Sequence, residues 1–201
     1  RLGERNALAQ AIDARVRHAT SVSEREEFLA TVRNALVVPS LVTAQEQPTL
    51  PLTWTEVQEM EESGWVSFGA HTMHHPILAY LSDPTEVEYE LRECRVILEQ
   101  QLGHPVRTFA YPVGESEHIG KNGPRAVQGA GYNWAVTALP GFNTAQTNAY
   151  LLHRLIVDVD QHWLVIAAKA SGVWGVFSRL YWTPITLTRK LLSFRTNRPV
   201  Q

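Results

Sequence analysis

Cysteine is almost missing from this 201-residue sequence: Cys94 stands alone, which excludes an internal disulfide and leaves the redox compartment open. No run of eighteen uncharged apolar residues occurs, and Lys169 and Arg179 interrupt the most apolar stretch, so a membrane-spanning helix is excluded. The sequence opens on Arg1-Leu2-Gly3, with neither an initiator methionine nor a signal-peptide pattern among these residues, and the expectation is that the protein's own start precedes Arg1. Acidic residues are absent from 161 to 201, where six basic residues stand, so the first 160 residues carry −8 of an overall −2. With Trp174, Phe177, Tyr181 and Trp182, that basic tail suits peripheral contact with a membrane or an anionic polymer, and equally suits ordinary packing with a solvated end. No nucleic-acid partner is expected. Aspartate is scarce too, being confined to Asp13, Asp83, Asp158 and Asp160.

What is present has the composition of one globular core, 44% hydrophobic and 19% charged. Helical spacing of Leu8, Ile12 and Val16, then of Phe28, Val32 and Leu36, predicts two helices over 1 to 38 with Ser21 or Ser23 as a cap. A connector with Pro39, Pro48 and Pro51 follows. From there the pattern alternates. Thr53 to Glu56 reads as a capping box opening a helix that stops at Gly64, and Trp65 to Ala70 as a buried strand. Asp83-Pro84-Thr85-Glu86 reads as a second capping box, opening a helix with one apolar stripe (Val87, Leu91, Cys94, Leu98, Leu102) that Gly103 ends. Strands are predicted at Val106 to Tyr111, Asn133 to Ala138 and Leu152 to Val159, and helices at Pro124 to Ala130 and His162 to Ser178. Such alternation implies an α/β fold with a parallel sheet, open or closed as a barrel.

Two clusters carry chemistry. His71-Thr72-Met73-His74-His75-Pro76 directly follows a predicted strand, where parallel α/β folds place their ligand loops. His71 and His75 are four apart, so a helical turn or tight loop can aim both imidazoles at one divalent metal, at about 2.0 to 2.1 Å. Thr72 can brace the loop, and His74 is the expected non-ligand. Two histidines at this spacing also suit a structural or incidental role. The second cluster, Arg107-Thr-Phe-Ala-Tyr-Pro-Val-Gly114, runs a strand into a Pro/Gly turn, which alone could be an ordinary loop.

In order, the two clusters match the second and third motifs of the NodB homology domain, His-(Ser/Thr)-x-x-His-Pro and Arg-x-Phe-Ala-Tyr-Pro-x-Gly, and the sequence resembles polysaccharide deacetylases of that type (carbohydrate esterase family 4) over about 52 to 160. The resemblance implies a distorted (β/α) barrel and a hydrolase that removes acetyl groups from N- or O-acetylated polysaccharide or oligosaccharide. It implies a divalent metal, zinc first, on His71 and His75. It gives Tyr111 the role of offering its backbone amide to the oxyanion, and Arg107 that of tuning the catalytic carboxylate. Leu151-Leu152-His153 spells the Leu-x-His pattern of the general acid, while Leu152-His153-Arg154-Leu155 matches a branch in which Arg154 stands there instead. In a strand the two side chains face opposite ways, so one of them at most meets the site.

The family's first motif, an aspartate pair supplying the base and the third ligand, has no counterpart. Asp83 reads as a helix cap, Asp13 lies in a helical pattern, and Asp158 and Asp160 suit surface strand ends. The expectation is therefore a partial barrel whose first strands precede Arg1 and which is nearly inactive alone. Its expected divisions are a helical segment and connector (1–51), a partial deacetylase domain (52–170) and a basic aromatic tail (171–201). The rival readings are a degenerate carbohydrate-binding relative that stacks Trp134, Tyr111 and Phe142 on sugars, and a peripheral membrane module. Bacterial cytoplasm and cell envelope both stay open as locations.

Overall fold

Helix α1 (Leu2–Arg17) and helix α2 (Val22–Leu36) form the predicted pair, and Ser21 caps the second by accepting the Glu24 N–H at 3.1 Å. The computed structural model describes residues 2–37, 51–157 and 160–173. Thr20 accepts the Ser82 N–H at 3.0 Å, and Glu86 accepts the Val22 N–H at 2.7 Å, so the α1–α2 junction sits on the start of α4 (Pro84–Leu102). That bond corrects the capping box expected at Asp83. Asp83 does cap α4, through the Thr85 N–H at 2.8 Å, but Glu86 turns away to Val22. The box on α3 (Trp54–Glu62) is closed in both directions between Thr53 and Glu56.

The apolar stripe of α4 faces the core as its spacing predicts, with Leu91 and Cys94 buried and Val87, Leu98 and Leu102 packed against them. Opposite lies a sheet in the order β1 (Thr108–Ala110), β2 (Trp134–Pro140), β3 (Leu152–Arg154). The β1–β2 pair is parallel, with Phe109 level with Ala135. A parallel pair needs a crossover, which α5 (Ser116–Ile119) and α6 (Gly123–Gly129) provide. Arg92 and Arg95 of α4 donate to the carbonyls of Gly129 and Ala130 at 2.8 and 3.0 Å, satisfying the end of α6. Phe109, Tyr111 and Tyr132 fill the space between the layers, and the Tyr132 hydroxyl donates to the Leu91 carbonyl at 2.8 Å.

Two predicted strands are shorter than expected. From 65 to 70 only Ala70 joins the sheet, by one parallel bridge to Phe109, and Trp65 is 92% exposed; one pairing at one end buries no run. The last strand stops at Arg154, and Leu155, Ile156 and Val157 are exposed. The last helix among the described residues, α7, is Trp163–Ala170 with His162 as its cap; its expected continuation to 178 lies mostly outside the described residues, as do the aromatic tail and Asp158. Contacts divide the chain into Arg1–Leu139 with Asn143–Arg154, and Pro140–Phe142 with Leu155–Gln201. The first unit holds α1 to α6 and the sheet except Pro140, the last residue of β2. In the second, Lys169 of α7 donates to the Ile156 carbonyl at 2.9 Å and to Gln161 at 2.8 Å.

Candidate metal centre

The loop after Ala70 leaves the carboxyl end of the sheet and presents His71 and His75 together. Their rings are 4.8 Å apart between centroids and inclined at 72°, and both residues are exposed. His71 Nδ1 lies 2.7 Å from the Ala110 carbonyl. A carbonyl can only accept, so Nδ1 carries the proton and Nε2 keeps its lone pair free, the tautomer a ligating histidine needs. Thr72 Oγ1 accepts the His75 N–H at 3.1 Å, which is the bracing its position predicts. Thr72 and His75 both adopt left-handed backbone, φ 66° and 58°, so the loop turns sharply at both ends.

The His75 imidazole is held below its ordinary value, first by partial burial, then by His71 and by the guanidinium groups of Arg25 and Arg17. The neutral ring is the form a metal accepts. Beneath the loop, burial pushes the Cys94 thiol up, and the Glu90 carboxylate, 1% exposed, accepts the Met73 and His74 N–H groups at 3.0 and 2.9 Å and lies 2.6 Å from His74 Nδ1. His74 is thus directed inward, away from the pair. Sequence reading missed Glu90; a glutamate one place before Leu91 of the apolar stripe was the available signal. From above, the Arg25 guanidinium of α2 donates to the His74 carbonyl.

The second cluster arrives where its motif predicts. Gly114 N–H donates to the Pro112 carbonyl at 2.7 Å across a tight turn with Val113 at φ 60°, and the Gly114 carbonyl accepts the Ala138 N–H at 2.8 Å. At φ 78° Gly114 has no room for a side chain, because a Cβ would lie 2.7 Å from Ala138 N. Tyr111 is placed differently from its expected role. Its N–H donates to the Val136 carbonyl at 3.2 Å, and its ring is buried with the hydroxyl on the Tyr150 carbonyl at 2.9 Å, so neither the amide nor a sugar-stacking face is free. Among the described residues, no acceptor meets the Val113 N–H.

Arg154 Nε donates to the Thr137 carbonyl, one residue beyond the Ala110–Val136 pairing and therefore at the same sheet end as the histidines. His153 is fixed through its backbone, by Asn143 at 2.9 and 3.0 Å. Arg107 is not brought to the pair: it precedes β1, three residues and roughly 10 Å of strand from Ala110. Trp134 stands at that opposite end too, level with Thr108. Asp13 pairs with Arg17 at 2.8 Å and Asp160 is exposed. Among the described residues, the three-residue group of metal-capable side chains is Glu115, Glu117 and His118, which excludes His71 and His75. The pair nonetheless fits a divalent metal as two of its ligands, since one ring's tautomer is set and the other's pKa is lowered, which favours its neutral form.

The polysaccharide deacetylase family model matches residues 25–133, from α2 to the threshold of β2. The chain belongs to the polysaccharide deacetylase family. Members of this family generally depend on a metal. YxkH of Bacillus subtilis (strain 168), a protein named for polysaccharide deacetylation, is 27% identical over 107 residues, which are 53% of this chain and 37% of YxkH. BC0361, a polysaccharide deacetylase from Bacillus cereus, superposes with a TM-score of 0.54 at 25% identity over 60% of this chain and 37% of its own. The Streptococcus pyogenes deacetylase PplD, solved with acetate, superposes with a TM-score of 0.51 at 25% identity over 56% of this chain and 47% of its own. The chain thus spans less than half the length of these deacetylases. Among the described residues no helix is long and apolar enough to cross a membrane, and nothing supports membrane contact.

Proposed function

We propose that this chain is the metal-binding and carbonyl-facing part of a hydrolase that removes acetyl groups from an N- or O-acetylated polysaccharide or oligosaccharide. The observation that carries the reading is the bond from His71 Nδ1 to the Ala110 carbonyl, which joins the two family motifs into one site and leaves Nε2 free. His71 and His75 hold a divalent ion, zinc by preference for two neutral imidazoles. When bound, that ion supplies Lewis acidity toward an acetyl carbonyl and a water of lowered pKa.

The chain's own residues do the rest. The Tyr111 amide is engaged in the sheet, so the oxyanion donor is assigned to the Val113 N–H, three residues past the carbonyl that orients His71 and without an acceptor. One such donor is worth about 2.7 to 4 kcal/mol where it meets developing charge. Arg154, held by the Thr137 carbonyl, adds positive charge at the same sheet end, and we assign it the role in preference to His153. Arg107 stands at the other end of β1, and it is given no part in this assignment. Among the described residues no third metal-capable side chain joins the pair, so no residue is assigned as carboxylate base or third ligand. The test is acetate release from N-acetylglucosamine oligomers and from acetylated esters by the intact protein, before and after chelation. Release that survives both chelation and His71→Ala overturns the reading.

A further inference from the structure

Glu90 is the one buried acid of α4, and the protein places it directly beneath the histidine loop. A carboxylate taken out of water costs several kcal/mol unless hydrogen bonds replace its hydration. Here all three replacements come from the two residues that separate Thr72 from His75: Oε2 accepts the Met73 and His74 N–H groups at 3.0 and 2.9 Å, and Oε1 lies 2.6 Å from His74 Nδ1. Both oxygens are engaged, and the flanking residues Thr72 and His75 are the two that take left-handed backbone. A chain that turns at 72 and again at 75, with 73 and 74 anchored inward, has one way to send its outer imidazoles: outward and together. An apolar residue at 90 would suit the core beside Leu91 and Cys94 better, yet would leave two loop amides without an acceptor. We infer that Glu90 is a positioning residue, which sets the spacing and angle of His71 and His75 through the segment between them without touching ion or substrate.

The inference rests on reading that pair as metal ligands. Its test is zinc titration of the intact protein and of His71→Ala, Glu90→Gln and Leu91→Ala, with amide hydrogen exchange at Met73 and His74. Glu90→Gln keeps the size of the side chain but has one acceptor oxygen where the carboxylate has two, so either the two loop amides or His74 Nδ1 meets an NH2. It is expected to weaken zinc about 10- to 100-fold, the usual effect of removing a supporting partner, and to speed exchange at both amides. Leu91→Ala damages the same helix but removes no hydrogen bond to the loop, and it is expected to bind zinc like wild type while melting earlier. Should Glu90→Gln fail to fold, Glu90→Asp, one methylene shorter, is read for the same two quantities. Wild-type zinc affinity in the Glu90 variant, with binding lost in His71→Ala, overturns the positioning role alone. Wild-type affinity in His71→Ala overturns the assignment of the pair instead.

Discussion

His71 Nδ1 lies 2.7 Å from the carbonyl oxygen of Ala110, so the residue before Tyr111 in one motif chooses the tautomer of a histidine in the other. The two motifs are 39 residues apart and meet because Ala70, the residue before His71, pairs with Phe109, the residue before Ala110. A one-residue slip of that bridge would face the ring with an N–H instead of a carbonyl.

The first prediction concerns metal content. The intact protein is expected to bind about one divalent ion, and His71→Ala and His75→Ala each to lose it. Elemental analysis of the three purified proteins decides, and equal content in all of them refutes the assignment. His74→Ala is expected to keep the ion yet melt earlier, because it takes a donor from the buried Glu90 and so unbalances a carboxylate that was fully bonded.

The second concerns the core. Leu91 is fully buried, so Leu91→Ala is expected to cost about 2 to 5 kcal/mol through lost transfer energy and the cavity left behind. Leu98 is only partly buried and its replacement should cost less. Urea unfolding midpoints of both variants check the order.

The third follows from His75, whose imidazole is lowered by burial first and by neighbouring positive charge second. A lowered pKa in the fold means that the unfolded chain binds more protons once the pH drops below about 6.5. The contribution to stability is therefore complete above that pH and lost as pH falls toward the lowered value. Metal-free protein should show this slope in denaturant midpoints between pH 7 and 5, and His75→Asn should flatten it. An unchanged slope in the variant places the titration elsewhere.

The fourth is a backbone prediction. Gly114→Ala would put a Cβ 2.7 Å from Ala138 N at φ 78°, a strain of roughly 1 to 3 kcal/mol at the turn that bears Val113. Lower thermal stability together with a lower kcat in the intact enzyme is expected, and a variant indistinguishable from the parent would show that the turn gives way freely.

Helices were the most legible part of the sequence, because their signals are local. Ser21, Thr53 and Asp83 cap where their chemistry says they should, and the stripe through Leu91 and Cys94 faces inward as its spacing requires. Strand extent was not legible, since Trp65 and Val157 look apolar whether or not a partner covers them, and pairing is decided by residues far away in sequence. The same limit governs the site. The closeness of His71 to His75 and the turn at Gly114 were readable from motif spacing, whereas the engagement of the Tyr111 amide by Val136, the inward pull of Glu90 and the diversion of Glu86 to Val22 all depend on a partner at least 16 residues distant.

Thr72, His75 and Val113 hold left-handed backbone without being glycine, and such residues cost of order 1 to 3 kcal/mol each against a total margin of about 5 to 15. Evolution toward heat resistance alone would find glycine at these positions an easy improvement. A lineage released from its substrate should therefore drift there first, so Thr72 and Val113 serve as a molecular record of whether catalysis is still under selection, readable even in a homologue whose histidines remain in place.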